Sequence, residues 1–282
     1  MPHTSPDNRS PQIAFIGGGN MASAIIGGLL KRGLQTQQIQ VIEPFAEQRA
    51  ALAAQFQIAV SAAPSAALAS ATLVVWAVKP QILRQAIAQG RAHTSAALHL
   101  SVAPGISSDT LANWLGSERI VRAMPNTPAL IGQGMTGLFA RSSVNAADRL
   151  SVEQVVQTTG EFLWLEQETQ LDAVTALSGS GPAYIFCFIE AMVQAGVGMG
   201  LSPQQAHQLA VSTFVGASAL AQQAGEAPEV LRARVTSKDG TTYAALTAME
   251  QSDIKGSFIQ AMQAARQRAI EMGHEFGNST VA

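Results

Sequence analysis

Five short apolar runs, 12–16, 39–43, 73–78, 98–103 and 120–123, recur along the first half of the chain with turns and helical spacing between them. Apart from Leu98-His99-Leu100-Ser101 none keeps up an alternation of apolar with polar residues, so the strands they form have both faces covered. Helical patterns over 20–32, 45–56, 80–89 and 107–115 supply that cover. Strand followed by helix, repeated in this way, predicts a parallel sheet wrapped on both sides. Further edge strands are expected at 134–139 and 161–165, around a helix at about 145–158. Past residue 166 the rhythm stops, and helices alone are expected, over 168–177, 182–200, 203–224, 228–235, 240–250 and 254–272. The predicted fold class is therefore an α/β doubly wound sheet followed by an all-α domain. The boundaries fall at 12–166 for the sheet-forming part and 167–273 for the helical part, with polar tails over 1–11 and 274–282 expected to be flexible.

Composition removes several classes of function. With 17 basic and 19 acidic residues and only 5% aromatics, there is no electrostatic footprint for nucleic acid. The single cysteine, Cys187, permits no disulfide framework within the chain, which fits a reducing cytoplasm. His93, His99, His207 and His274 have no partners at metal-ligand spacing, so no metal is expected. The stretch 182–200 is apolar on nearly every face, yet it carries Glu190, Gln194 and several glycines, which argues against a membrane span. A helix of this kind needs burial all round, and a partner subunit would supply it.

The chemistry begins at Gly17-Gly18-Gly19-Asn20-Met21-Ala22, which fits G-x-G-x-x-A between the first strand and the first helix. The first glycine makes the turn, the second admits a pyrophosphate, and the small third residue lets helix and strand pack. Glu43, at the end of the second strand, is placed either to accept the adenosine ribose hydroxyls or as a solvated carboxylate. The first reading favours NAD(H), because a 2′-phosphate would be repelled unless Arg49, Lys31 or Arg32 came round to compensate. Ala77, Val78, Lys79 and Pro80 follow the strongest strand and should border the same crevice. Lys79 fits a phosphate or ribose contact and equally a surface lysine at a helix start. In the helical half, the small residues Ser178, Gly179, Ser180 and Gly181 precede Pro182 at a helix start and suit close packing or a ligand. The run Thr236-Ser237-Lys238-Asp239-Gly240-Thr241-Thr242 offers hydroxyls and bare amides to a carboxylate, although one or two of them could be plain caps. Tyr184 and Tyr243 are the only tyrosines, and neither sits in a YxxxK arrangement. A carbonyl reductase usually needs a proton donor of that kind; a protonated imine does not.

These segments, IAFIGGGNMASAIIGGLL, VVWAVKPQ, MPNTPALIGQGMTGL, LDAVTALSGSGPAYIF and VTSKDGTTYAALTAME, resemble the Δ1-pyrroline-5-carboxylate reductase family over about 12–273. The resemblance implies a Rossmann domain, a helical dimerisation domain with interlocked helices, often a pentamer of dimers, and reduction of a cyclic imine to L-proline by NADP(H) or NAD(H). It implies cofactor contacts at Ile16, Gly17, Gly18, Gly19, Asn20 and Met21, at Ala77, Val78, Lys79 and Pro80, and at Ser101, Val102 and Ala103. It places the substrate at Gly240, Thr241 and Thr242, with Thr242 beside the imine nitrogen and Asn126, Ser178, Gly179 and Ser180 as neighbours. Four positions depart from the family's pattern. Asp239 replaces a small residue, Pro104 an alanine, Pro64 an asparagine, and Glu43 a hydroxyl or asparagine that would meet the 2′-phosphate. Alternative readings are a reductase of a related cyclic imino acid, a β-hydroxyacid-type dehydrogenase, and a non-catalytic dinucleotide-binding paralogue. No suitably spaced lysine and asparagine support the second, and only Asp239 argues for the third.

Overall fold

A computed structural model describes residues 12–277. Apolar runs form the strands of one eight-stranded sheet in the order β3-β2-β1-β4-β5-β6-β7-β8. In chain order these are β1 (Ile13–Ile16), β2 (Ile39–Ile42), β3 (Ala59–Ser61), β4 (Leu73–Trp76), β5 (Leu98–Ser101), β6 (Ile120–Met124), β7 (Gly134–Ala140) and β8 (Gly160–Trp164). All neighbours are parallel except β6 and β7. Between them lie α1 (Asn20–Lys31), α2 (Ala46–Phe56), α3 (Pro80–Gly90), α4 (Ser108–Leu115) and α5 (Ala146–Val156). Strand order reverses beside β1, which pairs with β2 on one side and β4 on the other. That is the switch point at which an open α/β sheet gathers its ligands.

Two apolar layers cover the sheet. Phe15, Ile26, Leu52, Val75, Val152 and Val155 bring α1, α2 and α5 onto one face. Trp76, Leu83, Ile87, Ile106, Leu111 and Leu115 bring α3 and α4 onto the other, joined by Phe276. Local chemistry sets the helix ends. Pro80 opens α3, Ser107 accepts the Thr110 amide at the start of α4, and Gly116 closes it in the left-handed region at φ 68°.

The helical half comprises α6 (Gln170–Val174), a π-helical turn (Thr175–Gly179), α7 (Gly181–Gly198), α8 (Pro203–Ala224), α9 (Pro228–Arg234), α10 (Thr241–Gln251) and α11 (Ile254–Gly277). By contact the chain divides into two compact units. One ends at Gly179 and also takes in α11 from Ala265 onward; the other is Ser180–Ala264. The compositional boundary at 166 thus marks where strands end, whereas α6 still packs with β7 of the first unit. The helices expected over 168–177 and 182–200 are not separated by a loop, because the π turn carries one into the other. Residues 274–277 complete α11 and are not a tail; 1–11 and 278–282 lie outside the described residues.

Within the second unit, Tyr184 and Phe188 meet Phe258 edge to face, with centroids 5.5 and 5.6 Å apart. A groove of about 650 Å³ lies among Phe188, Tyr243, Leu246, Met249, Ile254 and Phe258. The run Gln170–Gly198 is long and apolar enough to cross a membrane by length and composition. Phe186 is 65% exposed and Met199 78%, so the chain alone leaves much of this apolar surface uncovered.

One polar contact in the sheet sets an acid limit. The Trp76 Nε1–H donates to His99 Nδ1 at 3.2 Å, while His99 Nε2 is buried without a partner. Burial, and secondarily the charge of Arg119, lowers the His99 pKa from 6.5 to about 4. Between those values the unfolded chain binds a proton that the folded chain refuses, so stability is full above pH 6.5 and falls as pH drops toward 4. The expected loss is about 3 kcal/mol. His99→Asn keeps an acceptor for Trp76 but does not titrate. Chemical denaturation at pH 7 and pH 4.5 should give a smaller pH-dependent loss in this variant than in the wild type, and equal losses would refute the assignment.

Candidate active site

The glycine turn leaves β1 with almost no freedom. Gly17 has φ +98°, and a Cβ there would lie 2.5 Å from the Ala77 carbonyl oxygen, so only glycine fits. Its N–H donates to Ile42 O at 2.8 Å, and the Ala77 N–H donates to Ile16 O at 2.8 Å. Gly18 is held from both sides. Its N–H donates to Glu43 Oε2 at 2.9 Å, and its carbonyl accepts Gln48 Nε2 at 2.7 Å. A Cβ on Gly18 would strike Leu52 Cδ1 at 2.3 Å. Gly19 differs, because a Cβ there would meet nothing within 4 Å. It is the N-cap of α1 and provides no side-chain cap. The first helical bond runs from Ser23 N–H to Gly19 O, which leaves the Asn20, Met21 and Ala22 amides facing the helix start. Open space over uncapped amides at a positive helix end fits a pyrophosphate.

Glu43 is only 6% exposed. Its second oxygen, Oε1, accepts the Phe45 N–H at 3.0 Å, so the carboxylate turns inward onto the glycine turn and is not a solvated surface group. Arg49 occupies the same corner, donating from Nη1 to Glu43 O at 3.0 Å and to Pro44 O at 2.7 Å. Lys31 and Arg32 do not come round. They end α1 at its other terminus, where Arg32 donates to Gln157 O at 2.7 Å.

Beside this corner, Ala77 and Val78 leave β4, exposed Lys79 is the N-cap of α3, and Pro80 is its first residue. Ser101 ends β5, and its buried hydroxyl accepts the Ala103 N–H at 3.4 Å. Ile16, Glu43, Ala77 and Ser101 thus lie at or just past the carboxyl ends of adjacent parallel strands. Asn126 follows β6. Its Nδ2 donates to the carbonyl and hydroxyl oxygens of Ser178, each at 3.2 Å, and its Oδ1 accepts the Met135 N–H at 2.9 Å. The structure brings Asn126 and Ser178 together, with the asparagine amide engaged within the chain. Gly179 lies against Met124, whose Cε would be 2.4 Å from an added Cβ.

A polar bridge that sequence reading missed closes the far side. Glu168 accepts from both the Ser108 amide and its hydroxyl, and it pairs with Arg122 of β6 at 2.6 Å. Arg122 reads as one charge in an apolar strand, which was the available signal.

In the second unit, Ser237 to Gly240 form a tight turn closed by Gly240 N–H to Ser237 O at 3.1 Å. Asp239 takes the left-handed conformation at φ 59°, which aspartate tolerates better than most residues other than glycine. Gly240 is the N-cap of α10 and provides no side-chain cap. The first helical bond, Ala244 N–H to Gly240 O at 3.0 Å, leaves the amides of Thr241, Thr242 and Tyr243 at the helix start. Ser180 also belongs to this unit. Among the described residues no cluster of three His, Cys, Asp or Glu side chains could hold a metal.

Comparison with known proteins gives the arrangement its context. The family model for pyrroline-5-carboxylate reductase dimerisation matches residues 168–272, and one described as NADP oxidoreductase, coenzyme F420-dependent, matches 12–105. The pyrroline-5-carboxylate reductase of Pseudomonas aeruginosa is 44% identical over 271 residues, covering 95% of this chain and 99% of that protein. The Haemophilus influenzae protein of the same name is 42% identical, covering 92% and 97%. Among solved structures, a pyrroline-5-carboxylate reductase from Coxiella burnetii superposes with TM-score 0.87 at 34% identity, covering 94% of this chain and 99% of that one. The Plasmodium falciparum pyrroline carboxylate reductase with NADP bound gives 0.83 at 27% identity, covering 93% and 98%. With this identity over nearly its whole length, the chain belongs to the pyrroline-5-carboxylate reductase family.

Proposed function

We propose that this chain reduces Δ1-pyrroline-5-carboxylate to L-proline with NAD(P)H, and that its two helix starts divide the labour. The observation that carries the reading is the open, uncapped start of α1 at the sheet's switch point, in a chain 44% identical to a named pyrroline-5-carboxylate reductase. The amides of Asn20 and Met21 hold the diphosphate. Glu43 fixes the turn and lies with Arg49 beside the adenosine ribose, Lys79 and Pro80 border the crevice, and Ser101, Val102 and Ala103 meet the nicotinamide. The bound cofactor supplies a hydride to the imine carbon. The amides of Thr241 and Thr242 hold the substrate carboxylate, and the Thr242 hydroxyl bonds the ring nitrogen. Asn126, Ser178, Gly179 and Ser180 shape the substrate's surroundings. No general acid is needed, since hydride addition itself neutralises a protonated imine. Most of the acceleration comes from holding two molecules face to face.

We further propose that residues 167–273 act as the dimerisation and substrate domain. The apolar faces of α7 meet a second copy and not lipid; the match of 168–272 to a dimerisation model supports this, as do Glu190 and Gln194 within the helix. Five such dimers form the complete particle, and the cytoplasm is its compartment, in keeping with one cysteine and no disulfide framework. Sedimentation should find no active monomer at micromolar concentration; finding one would remove the argument from α7.

Cofactor choice tests the corner beside β2. Glu43 places negative charge near the 2′ position and Arg49 places positive charge there, so NADH should serve at least comparably with NADPH. Glu43→Ser loses the anchor of Gly18, so KM should rise for both cofactors while the ratio moves toward NADPH. A wild-type preference for NADPH of about a hundredfold, roughly 2.7 kcal/mol, would contradict this account.

At the substrate end, a bond to the ring nitrogen that strengthens toward the amine means Thr242→Ala should lower turnover more than it raises KM. Losing about 1.5–3 kcal/mol corresponds to roughly 10- to 150-fold in kcat/KM. Thr242→Ser should retain most activity. Wild-type turnover in Thr242→Ala would leave this residue as a helix start and nothing more.

A further inference from the structure

The loop joining β5 to α4, residues 102–107, keeps one bond to the neighbouring strand, from Val102 N–H to Trp76 O at 3.2 Å, and beyond it is held at its middle and at its end. At the middle, Gly105 has φ +79°, and a Cβ there would lie 3.4 Å from Gly273 N. Conversely, a Cβ on Gly273 would lie 2.9 Å from the Gly105 carbonyl oxygen. The backbone of the last turns of α11 therefore rests directly on the loop; the approach itself requires glycine at 273, and the positive φ favours it at 105. At the end, Ser108 gives both its amide and its hydroxyl to Glu168, and Arg141 Nη1 donates to the same hydroxyl at 3.1 Å. Glu168 is steadied in turn by Arg122, whose side chain is 10% exposed. A charge-assisted bridge at this depth holds geometry better than a solvated pair.

We propose that Gly273 and Glu168 are positioning residues that set the height of this loop against the nicotinamide ring. The inference rests on the reading above that Ser101, Val102 and Ala103 meet that ring. Neither residue touches a reacting atom; both act by placing backbone that does. Misplacing such a loop by a fraction of an ångström spoils hydride approach while leaving the adenosine end, held by the glycine turn, undisturbed.

Three variants of the full-length enzyme test this: Gly273→Ala, which pushes on the Gly105 carbonyl without removing any bond, Glu168→Gln, which removes the charge, and Val102→Phe, which alters the loop itself. Single-turnover hydride transfer, NAD(P)H binding and ADP-ribose binding are measured for each. Gly273→Ala and Glu168→Gln should slow hydride transfer by about ten- to a hundredfold and weaken NAD(P)H. Both should bind ADP-ribose, which lacks the nicotinamide, as the wild type does. Parallel loss of NAD(P)H and ADP-ribose would show a merely structural role and overturn the proposal. So would wild-type hydride transfer in these two variants while Val102→Phe is slow. If Val102→Phe also transfers hydride at the wild-type rate, the loop does not meet the nicotinamide and the underlying reading fails with it.

Discussion

One backbone contact governs the cofactor half of this molecule. Gly17 lies so close to the Ala77 carbonyl that a single added carbon would sit 2.5 Å from it. Because that approach is possible, β1 and β4 end side by side and α1 starts where the strand order reverses. Everything nearby then serves to keep the turn from relaxing. Glu43 takes one backbone group of Gly18, Gln48 takes the other, and Leu52 leaves no space for a side chain. Two of the three glycines are thus consumed by packing, and the third, Gly19, alone faces open space. The loop is preorganised before any anion arrives, which reduces the ordering cost of binding.

The strands were legible because a parallel sheet covered on both faces leaves uninterrupted apolar runs, as in Leu73–Trp76, where every residue is buried. β3 was missed for the opposite reason. Ala59, Val60 and Ser61 sit at the sheet's edge with little burial, so no hydrophobic pattern marks them. The π turn was equally silent, since its residues keep helical composition while the hydrogen-bond register slips. The glycine fingerprint located the turn between β1 and α1, but spacing could not reveal that the Glu43 carboxylate faces inward. Nor could it reveal Glu168, one acid in a polar stretch whose partners lie 46 and 60 residues away. Long-range polar pairs leave no periodicity to read.

The helical unit follows a different physical rule from the sheet unit. In the central strands of the sheet, burial is complete within one chain: Phe15, Val74 and Trp76 are all at 0% exposure. In α7 only Gly196 is buried, although the helix is among the most apolar segments of the sequence. An apolar helix left open costs free energy that one chain cannot recover, so association and folding of this half are coupled.

The last helix has a consequence for how the molecule comes into being. Synthesis runs from the amino end, and all eight strands lie within the first 164 residues. The glycine turn and its supports are therefore available while most of the helical half is still unmade. Phe276 and Gly273, which complete the α3–α4 face and seat Gly105, follow the last strand by more than 100 residues. A nascent chain owns its glycine turn long before it owns the part that seats the neighbouring loop. Completion of the glycine turn and seating of the neighbouring loop are thus separated in time along a single emerging polypeptide.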